Sequence, residues 1–388
     1  MNVRKNLSGA LVVFLFFLLW IPNEANGKAA SAAPAISAEA AALIDVASGR
    51  ILFSKNGSKK MRIASLTKTM TAIVAIEQGR MEDIVTVPKE AVGVEGSSIY
   101  LKNGEKLTLE ELLYGLMLRS GNDAAVTIAH HVGGSVQGFV YLMNEKAAMI
   151  GMSHTNFTNP HGLDDSNMHY STAEDMAKLS AYALKNPLFR QIVSTKVKNI
   201  SWEGEEYDRR LQNKNKLLHL YQGADGVKTG YTKLAKRCLA SSATRDGRQL
   251  ATITLNAPDD WNDSMALMDW GFQQFSNVTL VGKGEVIETA LSAKGEVIRL
   301  SAVNEWVYPL RKEETGQIRK EIMLTEKKVN PKLAGSHVGF LQIFIGDSLI
   351  GRVPLTVLGE AATMAKSKQH VTFWERLWEI MAGGMWSA

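Results

Sequence analysis

Hydrophobic and polar positions give the chain three textures. From residue 41, the apolar run Ala41-Ala42-Leu43-Ile44-Asp45-Val46 and the run Arg50-Ile51-Leu52-Phe53 flank Ala47-Ser48-Gly49, which predicts a strand pair across a turn. Leu66, Met70, Ile73, Val74 and Ile76 then cover most faces of a helix expected from Ser65 to about Gln78, with Gly79 as its stop. A helix apolar nearly all round is buried at the centre of a domain. A polar side chain near its start therefore stands on a rigid, partly dry platform. Thr108 and Glu111 make a capping-box pattern before Leu112, Leu113, Leu116 and Met117. That helix should break at Ser120-Gly121-Asn122, and another should run from about Asp123 to Gly133-Gly134. Helical spacing recurs over 172–185. The turn Gly223-Ala224-Asp225-Gly226 feeds a strand from Val227 to Thr232, strand patterns follow at 238–243 and 249–256, and a helix is expected from about Asn262 to Phe275.

After Ser276 the pattern changes. Residues 277–360 are short alternating runs separated by turn residues, with no convincing helix, which predicts a small β domain. Lys-Gly-Glu-Val-Ile occurs at 283–287 and again at 294–298, a spacing that suits successive strands. The third texture is at the end. Phe373, Trp374, Leu377, Trp378 and Met381 recur at three- and four-residue spacing, and Glu375, Arg376 and Glu379 fall on the other side. This predicts an amphipathic helix, either lying on a membrane surface with Lys366 and Lys368 toward anionic headgroups or docked on its own domain. The first residues carry a different signal: Arg4 and Lys5, an apolar run from Ala10 to Ile21, then Pro22 and small residues through Ala32. Twelve apolar residues are short for a membrane span, so residues 1–27 are expected to be a cleaved export signal.

Composition narrows the chemistry. At 388 residues, 45% hydrophobic and 21% charged, the chain has room for two to three folded domains. Lys+Arg 44 against Asp+Glu 39 gives +5, too mild and dispersed to argue for nucleic acid. The single cysteine, Cys238, excludes an intrachain disulfide and a thiolate metal cluster, and its strand-like surroundings make it a small buried apolar residue. None of the eight histidines falls in an H-E-x-x-H pattern. His130 and His131 are adjacent, so they point to different faces of their helix and are expected to be structural or surface residues.

With no metal motif and no cofactor loop, the chemistry must come from a side-chain nucleophile. No G-x-S-x-G occurs. Ser65-Leu66-Thr67-Lys68 is the one S-x-x-K in the chain. A serine hydroxyl needs a base within hydrogen-bond reach, and residues three apart on a helix share a face, so Lys68 is expected over Ser65 Oγ. Lysine serves as a base only when neutral, and burial or a second cation favours that state. Lys228-Thr229-Gly230, the one K-T-G, supplies that cation on an expected edge strand. There Gly230 admits a substrate backbone, and Lys228 and Thr229 can meet a negative group. In Ser120-Gly121-Asn122, Ser120 can relay a proton, while the Asn122 amide can hold a substrate amide or a lysine ammonium. Ser54-Lys55-Asn56 repeats the S-x-N pattern but precedes Ser65 on a hairpin end, so it is discounted. A bare S-x-x-K is expected by chance roughly once or twice in a chain of this length. The three motifs together, in this order and on these elements, are far more specific.

This constellation resembles that of the penicillin-recognising serine enzymes. The middle motif, Ser120-Gly121-Asn122-Asp123-Ala124, looks like that of the low-molecular-mass D-alanyl-D-alanine carboxypeptidases. So do Arg62 to Lys68, Asn159-Pro160-His161-Gly162-Leu163-Asp164, Tyr170 to Met176, and Asp225 to Thr232. The stretches 118–123, 213–218 and 228–237, with the Gly383-Gly384-x-Trp386 end, are most similar to the sporulation-specific branch of endospore-forming bacteria. The resemblance implies an α/β penicillin-binding, serine β-lactamase-like domain with an antiparallel sheet and a helical subdomain over 30–276. It further implies a small all-β domain over 277–362 and a membrane-associating amphipathic helix over 363–388. It implies removal of the terminal D-alanine from peptidoglycan pentapeptide stems through an acyl-enzyme, with β-lactams as covalent inhibitors, no cofactor, and a place on the outer face of the cell membrane. In the sporulation-specific branch the wall is spore cortex.

The implied site is Ser65, Lys68 and Ser120 for catalysis, and Asn122, Lys214, Lys228, Thr229, Gly230 and Tyr231 for substrate, with the N–H groups of Ser65 and Tyr231 as oxyanion hole. Several relatives carry an arginine shortly before the Trp-Gly-Phe of the last domain helix. Here that stretch reads Asp259-Asp260-Trp261-Asn262-Asp263. Thr229 with Lys214 or Arg237 is the expected substitute for carboxylate recognition. Two rivals share the scaffold: a β-lactamase, whose class A Glu-x-x-Leu-Asn loop pattern is absent here, and an inert wall-binding or penicillin-sensing module, against which the intact set of polar residues argues.

Overall fold

The computed structural model describes residues 32–291, 297–325 and 334–358. The basic and apolar N-terminal segment and the tryptophan-rich C-terminal segment lie outside them. Among the described residues no helix is long and apolar enough to cross a membrane.

A five-stranded antiparallel sheet organises the first part of the chain. It is built from β1 (Ala40–Asp45), β2 (Ile51–Lys55), β7 (Ala224–Thr232), β8 (Lys236–Arg245) and β9 (Arg248–Leu255), in the order β2-β1-β9-β8-β7. Every residue of β1 is buried, because both sheet faces are covered. Ala40, Ala42 and Ile44 face the helical core, while Leu43 packs in a second cluster with Met268 and Trp270 of the last helix, α8 (Asp260–Gln274). The helical side contains α1 (Lys68–Gln78), α2 (Leu109–Leu118), α3 (Asn122–Gly133), α4 (Val136–Met149), α5 (Ala173–Ala183), α6 (Pro187–Ser194) and the single turn α7 (Leu217–Leu220). Two small hairpins join them, β3 (Ile84–Thr86) with β4 (Lys106–Thr108) and β5 (Val197–Ile200) with β6 (Arg209–Gln212).

The helix expected from Ser65 begins differently. Residues Ala64–Thr67 form a 3-10 turn and the α-helix starts at Lys68. Ala64 enters that turn at φ +48, and the Leu66 N–H closes on Ile63 O at 3.1 Å. Positions i and i+3 eclipse in a 3-10 turn, so the expected Ser65–Lys68 alignment survives the change. The helix is buried as its composition requires: Met70, Ala72, Ile73, Val74 and Ala75 are all in the core. Burying each large apolar side chain contributes about 1.5–3 kcal/mol. The Thr108/Glu111 capping box forms, with both reciprocal hydrogen bonds in place.

From Ser276 the chain makes β10 (Ser276–Val281), β11 (Val286–Leu291), β12 (Val297–Ala302), β13 (Trp306–Leu310), β14 (Ile318–Leu324), β15 (His337–Ile345) and β16 (Ser348–Val357). Apart from a 3-10 turn over Lys312–Gln317, the described part is strands and loops, as the alternating pattern predicts. β10 pairs with β13, and the other five form a sheet in the order β11-β12-β16-β15-β14. The repeated Lys-Gly-Glu-Val-Ile segments lead into β11 and β12, which are antiparallel neighbours. Ile298, Leu300, Leu341, Ile343, Val353 and Leu355 alternate inward to form this domain's own core. Arg50 reaches from the turn before β2 into this region. Its guanidinium bonds Glu314 and Pro309 O, and it lies over the rings of Phe275 and Tyr308.

Candidate active site

Ser65, Ser120, Thr229 and Gly230 line one cleft of about 350 Å³, with Tyr231, Arg237, Lys214 and Trp261 also on its walls. The three motifs, dispersed over more than 160 residues of sequence, therefore meet at one place. Ser65 is brought there by the 3-10 turn, Ser120 by the break between α2 and α3, and Thr229 and Gly230 by the edge strand β7.

Lys68 lies behind this wall and is fully buried. Its Nζ has three oxygens around it: Ser65 Oγ at 3.1 Å, Asn122 Oδ1 at 2.6 Å and His161 O at 2.8 Å. Two of these, an amide and a backbone carbonyl, can only accept. A neutral amine has two N–H groups and one lone pair. Donating to the two carbonyl oxygens directs the lone pair at the Ser65 hydroxyl, the arrangement a base requires. Burial is the largest cause holding Lys68 well below the usual lysine range, followed by the cations Lys228 and Lys214; the Asp123 carboxylate opposes them.

Lys228 is also buried, with its ammonium on Thr229 O at 2.8 Å. Burial and Lys214 push it down to about 7. It therefore acts on the cleft from behind the strand, while Thr229 occupies the open wall. Gly230 has a packing role that its sequence context does not reveal: a Cβ there would meet Ser65 N at 3.1 Å and Ala64 Cβ at 3.2 Å. The absent side chain lets β7 close against the nucleophile's own backbone.

Ser120 is nearly buried at φ +64, a left-handed conformation that costs a non-glycine residue about 1–3 kcal/mol. Neighbouring hydrogen bonds sustain it: Gly121 N–H donates to Gly115 O at 3.2 Å and Asn122 N–H to Ser97 O at 2.7 Å. Asp123, the next residue, is a larger organiser than sequence reasoning suggests. Its buried carboxylate accepts from Ser98 Oγ at 2.6 Å, Ile99 N at 3.0 Å, Leu101 N at 3.1 Å and Ala124 N at 2.9 Å. It thereby fixes the loop bearing Ser97 and the Glu95 carbonyl, which accepts from the Asn122 amide.

Lys214 is presented by a pinned loop. Its N–H donates to Leu118 O, and the flanking Asn213 and Asn215 amides donate to Val193 O and Gly226 O. Its ammonium donates to Ser97 Oγ at 3.0 Å. Arg237, on β8, pairs with Asp260 at 2.7 Å. The Asn159 to Asp164 segment closes the floor. Gly162, at φ +86, sits so tightly on the nucleophile turn that a Cβ would lie 1.9 Å from Ala64 O. His161 is held neutral, pushed down to about 3 by burial and by Lys68. The discounted Ser54 bonds Glu174 at 2.7 Å at the end of β2. His131 faces Asp83 at 3.3 Å on the other end of α3. Among the described residues no group of acidic, histidine or cysteine side chains is placed to hold a metal ion.

Comparison with known proteins agrees with this geometry. The family model for D-alanyl-D-alanine carboxypeptidase matches residues 27–259, and that for the penicillin-binding protein 5 C-terminal domain matches 275–362. The chain is 31% identical to D-alanyl-D-alanine carboxypeptidase DacF of Bacillus subtilis over 96% of its own length and 97% of the relative's. It is 30% identical to D-alanyl-D-alanine carboxypeptidase DacC of Escherichia coli, over 97% and 95% respectively. Penicillin binding protein 5 from Haemophilus influenzae superposes with a TM-score of 0.71 at 29% identity, covering 85% of this chain and 98% of that one.

Proposed function

The chain belongs to the D-alanyl-D-alanine carboxypeptidase family, and from that premise we propose that Ser65 is its nucleophile and Lys68 the base that activates it. The enzyme is a serine-type D-alanyl-D-alanine carboxypeptidase that takes the terminal D-alanine from peptidoglycan stem peptides. Ser65 Oγ attacks the carbonyl carbon of the penultimate D-alanine as Lys68 takes the hydroxyl proton. The N–H groups of Ser65 and Tyr231 stabilise the resulting oxyanion. Ser120 passes a proton to the amide nitrogen, the C–N bond breaks and D-alanine leaves. Water then hydrolyses the ester and restores Ser65. Asn122 orients Lys68 and the substrate amide, and Lys214, Lys228 and Thr229 supply the polar surroundings of the substrate's end.

The observation that carries this reading is the fencing of Lys68 Nζ by two carbonyl oxygens and Ser65 Oγ. The test is labelling by a fluorescent penicillin together with D-alanine release from a pentapeptide, using Ser65→Ala as control. Long-lived labelling with D-alanine release, both lost in Ser65→Ala, supports the carboxypeptidase. Rapid turnover of the penicillin favours a β-lactamase, and absence of both reactions an inert module.

The finer placement belongs to the same proposal. Residues 1–27 act as an export signal, 30–276 form the catalytic domain, 277–362 the β domain, and 363–388 a helix that holds the enzyme on the outer face of the membrane. Full-length similarity to DacF, together with the Gly383-Gly384-x-Trp386 end, supports a role in spore cortex.

A further inference from the structure

The open end of the cleft carries more positive than negative charge. Lys214, Lys216 and Arg237 line it, and Asp260 is the acid among the lining residues. Desolvation and Arg119 lower Lys214, and Lys228 behind the strand falls to about 7. A guanidinium keeps its charge at any working pH and presents five N–H donors in a fixed plane.

Arg237 stands directly across the β7–β8 ladder from Tyr231, the residue that follows Lys-Thr-Gly. Its Nε and Nη2 both donate to Asp260 Oδ1, at 3.0 and 2.7 Å. Asp260 is itself buried and fixed at the start of α8, and the same oxygen accepts from Trp261 N at 3.1 Å. The carboxylate thus holds one edge of the guanidinium and sets its plane. Among the described residues Nη1 makes no hydrogen bond, and the side chain is 45% exposed on the cleft wall. A planar donor set, oriented from behind and open in front, matches a carboxylate better than a point charge does. Asp260 offsets Arg237's own charge, so the pair supplies direction while Lys214 and Lys216 supply the surplus attraction.

We propose that Arg237, held in plane by Asp260 and assisted by Thr229, recognises the free carboxylate of the leaving D-alanine and so makes the enzyme select chain ends. The proposal rests on the carboxypeptidase reading and deepens it. Asp260 acts as a positioning residue.

The test compares an acyl-D-Ala-D-Ala peptide with the same peptide bearing a C-terminal carboxamide, and reads the ratio of their kcat/KM values on one preparation. The ratio cancels any loss of folded enzyme. Arg237→Gln should lower the acid-to-amide ratio about tenfold to hundredfold, chiefly through KM for the acid, as loss of a charged hydrogen-bonding partner implies. Arg237→Lys should recover part of the ratio, and Asp260→Asn should lower it less than Arg237→Gln does. A ratio in Arg237→Gln within about twofold of wild type overturns the proposal, as does an equal fall on both peptides. A wild-type enzyme that hydrolyses both peptides equally, through Ser65, also overturns it while leaving the carboxypeptidase reading intact. A wild-type enzyme that releases nothing from either peptide overturns both.

Discussion

Removing the Asp123 carboxylate should damage stability and shift the pH response of the site in a direction fixed by its charge. In Asp123→Ala, the buried N–H groups of Ile99 and Leu101 lose their acceptor. Each such orphaned donor costs about 1–3 kcal/mol. Loss of the Ser98 bond adds about 1 kcal/mol, and loss of a negative charge in the first turn of α3 about 0.3–1 kcal/mol. Together the effect is about 3–6 kcal/mol, well above an ordinary point mutation. In a chain of this size that corresponds to a melting temperature lower by roughly 10 °C or more. Asp123→Asn keeps the volume and one oxygen, so it should lose about half as much. The surviving folded enzyme offers a second readout. Asp123 raises the Lys68 pKa, so its removal should lower that pKa further. Since acylation needs neutral Lys68, the acid limb of the penicillin-acylation profile should move to lower pH. Scanning calorimetry and stopped-flow acylation on the two variants test both effects. A melting temperature within about 2 °C of wild type, or an acid limb moving to higher pH, refutes the reasoning.

In the wild-type enzyme, acylation by penicillin should be sustained above the depressed Lys68 pKa and fall as pH drops through it; a profile flat from mildly acidic to alkaline conditions contradicts Lys68 as base. Gly162→Ala places a Cβ 1.9 Å from Ala64 O at a positive φ, so acylation by penicillin should fall at least about tenfold while far-ultraviolet circular dichroism stays native; wild-type labelling kinetics would show that the nucleophile turn does not depend on this contact. Arg50→Ala removes Glu314, Pro309 O and two ring contacts at once and should separate the thermal unfolding of residues 276–358 from that of the preceding domain, with turnover changed by less than about twofold; one unshifted transition argues against Arg50 as a coupling point. Flotation with anionic liposomes should carry the mature chain but not one cut before Val371, and equal flotation of both would assign membrane contact elsewhere or to no segment.

The catalytic constellation was legible because its geometry is largely local. Ser65 and Lys68 are three residues apart, and Ser120 and Asn122 frame one helix break, so helix geometry alone nearly aligns them. Even the unexpected 3-10 turn preserved the spacing. The Thr108/Glu111 box and the paired β11 and β12 were readable for the same reason. Long-range partnerships were not. His161 contributes a backbone carbonyl to Lys68, and a carbonyl leaves no residue-type signature. Arg237 and Asp260 lie 23 positions apart on a strand and a helix, and nothing local links them. α4 was missed because only Phe139, Met143 and Ala147 of its 14 residues are buried, too thin a stripe for the apolar pattern to register. The short pairs β3–β4 and β5–β6 are three or four residues long, below the length at which alternation becomes a pattern.

Cys238 sits opposite Gly230 in the ladder, with no exposed surface, and burial pushes its thiol up to about 12. At neutral pH about one molecule in a hundred thousand then carries the thiolate. Alkylating reagents, oxidants and disulfide-forming catalysts outside the cytoplasm meet no usable sulfur, so the folded enzyme is chemically silent toward all of them. A cysteine placed anywhere on its surface would be the sole reactive thiol. One dye, spin label or cross-linker could therefore be attached at a chosen point of the unmodified background, and the position of the β domain over the cell envelope measured in living cells.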